Sequence, residues 1–429
     1  MPVSPLEFHV LLLVLLVGTQ AFFTVLSVLN LRYSERMVDA EREWLTDRLA
    51  IDDPDEILSY SRLKTGLGHL QSWIGLGVLL LVLYSGLFSA AVVRLHETIP
   101  DPVVGGMVFF VAFVVALQLF SAPFDIMDTF VIEEIYGFNN QTIGLWLRDV
   151  VLGVVVSAAI TAIVVAALMA FIVVLPTWWW AAGTAFFILF SLGMQVLYPR
   201  AIAPLFNDFD PIESGDLRDA VEDVFERAGF ACEELYTMDA SRRSSHVNAY
   251  FVGFGRTKRV VLFDTLIDRL ELPEVQSVLA HELAHWKRRH VWKQLSGSTI
   301  RIAVMLFALW YLLETTWLYA MFDLPETAIY AGLLVGLLFV TPLLRLTAPI
   351  ENWLSLAHER EADRFAVSVM GTGTPMADAL ASLAKENLAN PFPHPWYAAF
   401  HYSHPPIPER IRGIREADDL ENEANTAGD

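Results

Sequence analysis

Long uninterrupted apolar blocks constrain this chain more than any other feature. Seven stretches, at residues 8–30, 70–93, 103–120, 150–175, 178–197, 298–321 and 327–346, are predominantly apolar. Each is close to the ~20 residues that cross a ~30 Å hydrocarbon core as an α-helix. Lipid offers a bare peptide group no hydrogen-bond partner, so blocks of this length are read as helices that satisfy their own backbone. Composition agrees: 55% of the 429 residues are hydrophobic, and they are gathered into the blocks rather than alternating. The first block has no Lys or Arg ahead of it and no small-residue cleavage site, which reads as a permanent span rather than a removable signal.

Loop charge orients the spans, because Lys and Arg within about 15–20 residues of a span end are held on the cytoplasmic side. Arg32, Arg36, Arg42, Arg48, Arg62 and Lys64 stand between the first two blocks, whereas the loop after the second carries Arg94 alone. The amino terminus is therefore expected outside the cell membrane, with all long loops and the carboxy terminus in the cytoplasm. The chain divides into residues 1–198 (five spans), 199–297 (a cytoplasmic catalytic region), 298–350 (two further spans) and 351–429 (a second catalytic segment ending in an acidic tail, disordered over 420–429).

The chemistry is carried by His281-Glu282-Leu283-Ala284-His285, on a predicted helix that begins at Pro273 and runs on through Trp286 to Trp292. Residues four apart lie about 40° apart around a helix, so His281 and His285 can present two imidazoles to one Zn²⁺ while Glu282 flanks the position of an attacking water. A third ligand is expected at Glu359, which shares a helical face with Ala362 and with Asp363, the latter placed to orient a ligating His. Glu361 points the other way. On the same continuous helix His290 lies about 140° from His285 and is not expected at that metal. Two imidazoles and one carboxylate leave net positive charge and one open position, which lowers the pKa of water to about 7 and lets Glu282 act as general base. Two spans separate His285 from Glu359, and an even number returns the chain to the same face of the membrane. The expected composition is one Zn²⁺ per chain.

Residues 216–228 show helical spacing with an acidic first half. Residues 248–252 and 259–263, rich in β-branched and aromatic side chains and separated by Gly253 and Gly255, read as a hairpin. The formal net charge of −20 argues against nucleic-acid binding, which needs a basic patch. One cysteine, Cys232, excludes an intrachain disulfide.

Several separate motifs resemble one family. They are Phe130-Val131-Ile132-Glu133-Glu134 with Gly137-Phe138-Asn139, Ile202-Ala203-Pro204-Leu205-Phe206, Ser244-Ser245-His246-Val247-Asn248-Ala249-Tyr250-Phe251, Val261-Leu262-Phe263-Asp264-Thr265-Leu266, the His281 motif with Trp286, and His401-Tyr402-Ser403-His404-Pro405-Pro406. In this order they resemble the integral-membrane type I CAAX prenyl proteases. The resemblance implies a mainly α fold of seven transmembrane helices around a water-filled chamber, with a zincin-like α+β catalytic domain at its cytoplasmic end. It implies cleavage of lipidated or membrane-associated peptides near their carboxy terminus. It also implies zinc on His281, His285 and Glu359, Glu282 as base, His404 stabilising the tetrahedral intermediate, Arg410 near the site, and substrate pairing along Asn248, Ala249 and Tyr250. Similar proteins often carry an Arg after the Ser at 355, where this chain has Leu356.

Two other readings share some of these features. A membrane quality-control zinc protease shares the zinc motifs but is shorter, with fewer spans; a transporter or channel with a structural zinc site would need a fourth protein ligand. Membrane lipids are expected partners in each case, and oligomeric state has no signal in the sequence. Glu314, near the outer end of the sixth span, is an intramembrane charge of open role. The roles of Glu133, Glu134 and His401 are likewise open, and His246 reads as an ordering residue beside the hairpin.

Overall fold

The computed structural model describes residues 5–232, 234–252 and 259–426. Its amino-terminal half is a set of long apolar helices. Helix α1 (Pro5–Ala40) continues well beyond its apolar block, and α2 (Arg42–Leu49) ends at Ala50, whose φ of 50° is left-handed. Asp53 caps α3 (Pro54–Tyr84) by accepting from the Asp55 N–H, with Pro54 in the first turn, where a missing N–H costs nothing. The expected second span at 70–93 is therefore wrong in register. The chain breaks at Gly86, φ 84°, and α4 (Leu87–Thr98) is a separate helix. Asp101 caps α5 (Pro102–Met127), which runs into a π-helical turn at Asp128–Glu133. Helices α6 (Ile143–Val174) and α7 (Trp179–Leu197) complete this half.

Among the described residues, the segment after α7 carries a four-stranded sheet in the order β1-β2-β4-β3. Strands β1 (Phe209–Pro211) and β2 (Glu234–Met238) run antiparallel; β2 pairs in parallel with β4 (Arg259–Phe263), and β3 (Ala249–Val252) runs antiparallel to β4. The expected hairpin is present, while its turn at Gly253 and Gly255 lies outside the described residues. Period-two alternation decides the faces. Val260 and Leu262 bury against α8 (Asp216–Arg227) and the helix of the His281 motif, while Val261 turns to Met238 and Ala240. A short α9 (Asp264–Arg269) leads into that helix, α10 (Leu272–Lys287), opened by a capping box between Glu271 and Glu274 with Pro273 in its first turn. It does not run on to Trp292. The chain turns at Arg289, φ 57°, and a new helix starts at His290.

Helix α11 (His290–Leu313) crosses back and stops at Glu314, so the expected block 298–321 is cut, with α12 (Thr316–Ala320) set apart. Helix α13 (Ile329–Arg345) returns and bends by 48° into α14 (Ala348–Met370). Among the described residues, six helices are long and apolar enough to span a membrane, seven when this bent pair counts as one. Their shared core gathers Met169, Trp179, Leu309 and Tyr330. Helices α15 (Thr374–Glu386), α16 (Pro395–His401) and α17 (Ile407–Thr426) finish the chain. The tail expected to be disordered from 420 remains helical to Thr426.

A third core places the first loop against the carboxy-terminal region. Leu45 and Leu49 of α2 and Ile57 of α3 bury against Val367, Leu380, Ile411 and Ile414. These segments therefore share one side of the membrane, as an even span count requires.

Candidate metal centre

Helices α10 and α14 approach closely because the residues between them are small: Ala280, Ala284, Ala362 and Ala366 have no exposed surface. That contact brings three donors together. His281 Nε2 lies 3.3 Å from His285 Nε2 and 3.3 Å from Glu359 Oε2, and His285 Nε2 lies 3.4 Å from Glu359 Oε1. A tetrahedral ion with bonds of ~2.0–2.1 Å holds its donors about 3.3 Å apart, so the set fits a small divalent metal. His281 and Glu359 are buried, and the three form the metal-capable group found among the described residues.

Second contacts orient the donors. His281 Nδ1 lies 2.9 Å from Asp363 Oδ1, and Arg410 grips the same carboxylate through Nη2 (2.6 Å) and Nε (3.0 Å). Glu361 faces away, bonded to His290 and Arg288. Burial opposes charge on His281, but the bonds to Asp363 and Glu359 outweigh it and lift the imidazole to about 9. His285, which among the described residues has no carboxylate on its Nδ1, is pushed down to about 4 by burial and then by His281. Burial works against the Glu359 carboxylate too, yet its bonds to His281 and His404 hold it well below the usual range. Glu282, beside this cluster, is raised chiefly by burial, the direction that strengthens a carboxylate as a base.

His404 is brought to the site, its Nδ1 2.5 Å from Glu359 Oε2, with most of its side chain exposed. His401 is not. It stacks on Tyr397 with ring centroids 4.2 Å apart and meets Phe23 edge-on. Arg410, grouped by resemblance with the catalytic side chains, touches Asp363 and the back of His281, so this geometry gives it a positioning role. Glu314 stands at the C-cap of α11, its backbone N–H bonded to the Leu312 carbonyl.

A cleft of about 590 Å³ lies between the start of β3 and the 401–410 segment, lined by Val247, Asn248, Asn387, His404 and Arg410 among others. Strand β3 is the last in the sheet order, so its outer edge is unpaired within the sheet. Ala249 and Tyr250 lie on it, although the Tyr250 side chain is outside the described residues. Sequence reasoning missed Asn387, whose Oδ1 accepts from Val247 N (3.1 Å) and whose Nδ2 donates to Val247 O (3.3 Å), as a neighbouring strand would. No local pattern marks a partner 140 residues away.

Glu133, left open by the sequence, joins the two halves. It accepts from Tyr60 (2.8 Å), Lys64 (2.8 Å) and His246 Nε2 (3.1 Å), while His246 Nδ1 donates to Asn387 Oδ1 (3.0 Å). Glu134 accepts from Asn139 instead. Both partners of His246 are acceptors, and the bond to Glu133, outweighing burial, raises its pKa above 6.5. A raised folded pKa means the stabilisation is fully present below about pH 6.5 and is lost as pH rises through the folded value. The thermal midpoint of the wild type should therefore exceed that of His246→Gln at about pH 6 and lose that advantage by about pH 9. An equal gap at both pH values would count against the ion pair.

Apolar spans joined to a buried His-His-Glu group, linked through His404 to a neighbouring cleft, define a multi-pass membrane protein with a peptidase-type site. Residues 211–418 match the model of peptidase family M48, and residues 41–208 match that of the CAAX prenyl protease N-terminal region, five membrane helices. The CAAX prenyl protease 1 homolog of Arabidopsis thaliana is 37% identical over 302 residues, covering 69% of this chain and 70% of the relative. CAAX prenyl protease 1 of Saccharomyces cerevisiae is 29% identical over 69% of each. The crystal structure of S. mikatae Ste24p superimposes with a TM-score of 0.85 at 25% identity, over 96% of this chain and 100% of that one. The chain belongs to the CAAX prenyl protease 1 family of membrane proteases.

Proposed function

We propose that the chain is a zinc metalloendopeptidase that cleaves lipidated or membrane-associated peptides near their carboxy terminus, with His281, His285 and Glu359 as ligands. The observation that carries this is the convergence of two Nε2 atoms and a carboxylate at 3.3–3.4 Å beside a cleft bounded by an open strand edge. A Zn²⁺ ion held there would supply Lewis acidity and acidify water.

The substrate backbone adds to the edge of β3, where main-chain hydrogen bonds supply affinity. Asn248, Ala249 and Tyr250 provide that edge. Glu282 takes a proton from the attacking water as its oxygen bonds to the scissile carbonyl carbon, then delivers the proton to the amine released when the C–N bond breaks. Asp363 and Arg410 hold the His281 ring in place. His404, bonded to Glu359 through Nδ1, offers Nε2 toward the developing oxyanion. Loss of such a donor acts on the transition state, so His404→Ala should keep metal and KM while kcat falls by roughly 10²–10³. Loss of metal in that variant would reassign His404 to holding Glu359.

Comparing cleavage of a farnesylated CAAX peptide with its unlipidated twin tests the substrate class. Faster cleavage of the lipidated peptide is expected; no cleavage of either by zinc-loaded protein would overturn the reading. The catalytic side is proposed to be cytoplasmic, from the Arg-rich first loop. Cysteine labels at the exposed positions 47 and 98 should be accessible from the cytoplasm and the outside respectively, and the reverse pattern would invert the topology.

A further inference from the structure

The two histidines of the metal group are held from behind by different means. A histidine that gives its Nε2 lone pair to a metal carries its proton on Nδ1, and the partner of that N–H decides whether the ring stays aimed. For His281 the partner is Asp363, itself gripped by Arg410. Among the described residues no carboxylate reaches His285 Nδ1. The atom in reach is His290 Nδ1, at 3.1 Å.

His290 has no exposed surface and is stacked on His358, ring centroids 4.1 Å apart, so its ring cannot turn freely. Its other nitrogen, Nε2, lies 3.0 Å from Glu361 Oε2, and Arg288 Nε lies 3.1 Å from Glu361 Oε1. A carboxylate only accepts here, so His290 Nε2 carries the hydrogen and Nδ1 presents a lone pair. That lone pair faces His285 Nδ1, which must then be the donor. The hydrogens along the chain have one consistent arrangement, and it leaves His285 Nε2 bare toward His281 and Glu359.

The geometry of this chain points to a relay, Arg288–Glu361–His290, that sets the tautomer and aim of His285 as Arg410–Asp363 does for His281. Rested on the metal-centre reading above, it makes His290 and Glu361 positioning residues for metal binding. Both were excluded from the site on helical phase. As a statement about ligands that exclusion stands; what it did not anticipate is the place behind His285, which opens because the left-handed turn at Arg289 starts a new helix and swings the His290 ring back over His285.

Metal affinity of the full-length protein, measured by competition between the protein and a chromophoric chelator for Zn²⁺, tests the relay without using turnover. His290→Leu removes both hydrogen bonds and should weaken Zn²⁺ binding about 10- to 100-fold, the usual effect of losing such a partner. His290→Gln keeps an amide oxygen toward His285 and an N–H toward Glu361, and should restore most of the loss. Glu361→Gln, at a half-exposed position that tolerates the change, covers the case in which His290→Leu does not fold. It should weaken binding several-fold, an order-of-magnitude expectation below the His290 loss. Unchanged affinity in Glu361→Gln, or in a folded His290→Leu, overturns the relay. His285→Ala separates the two levels. If it too binds Zn²⁺ like the wild type, the metal centre itself is wrong and the relay falls with it; if it alone loses the metal, only the relay fails.

Discussion

Glu282→Gln should lower kcat by about 10²–10⁴ while leaving metal content and thermal midpoint unchanged, because general-base catalysis is of that size and the amide keeps the shape of the carboxylate. No hydrogen bond of the fold depends on its charge among the described residues, and burial raises its pKa in the direction a base requires. The measurement is single-turnover cleavage of a farnesylated peptide by zinc-loaded protein, with metal content determined on the same sample. A variant that keeps more than a tenth of wild-type kcat would remove Glu282 from the mechanism.

Arg410→Ala should be the most destabilising single change near the site, at about 3–5 kcal/mol, the cost of stripping one partner from a buried ion pair. The Arg410 and Asp363 side chains are only 10% and 7% exposed, and among the described residues the carboxylate has one permanently charged partner, Arg410, beside its contact with His281 Nδ1. Asp363 also holds His281 Nδ1, so metal affinity should fall along with stability. Arg410→Lys keeps charge without the planar fork and should recover part of both. A loss under about 1 kcal/mol with metal binding intact would show that Asp363 needs no partner.

Much of the site was legible because its information is local. Four-residue spacing put His281 and His285 on one face of a helix, and the face shared by Glu359, Ala362 and Asp363 is buried as that phase requires. The β3–β4 hairpin followed from residue type. Breaks in helices were less legible: Gly86 interrupts the second apolar block and Thr315 the sixth, and hydropathy averages across both. Strand β1, at three residues, is too short to show a period, and burial does not alternate along the five residues of β2.

By itself the sequence determined the class of fold and the pairing of an HExxH helix with a distant Glu. Each of those depends on spacing within one helix or on the length of one apolar block, and such properties are carried by neighbours along the chain. Tertiary structure alone decided that His290 backs His285, that Asn387 clamps Val247, and that Glu133 ties Tyr60 and Lys64 to His246. One left-handed residue, Arg289, redirects His290, and an arginine there gives no local sign of a turn. The other contacts join residues 69 to 140 positions apart, and which of many polar side chains meet at such range is settled only when the apolar helices and the three cores close around them.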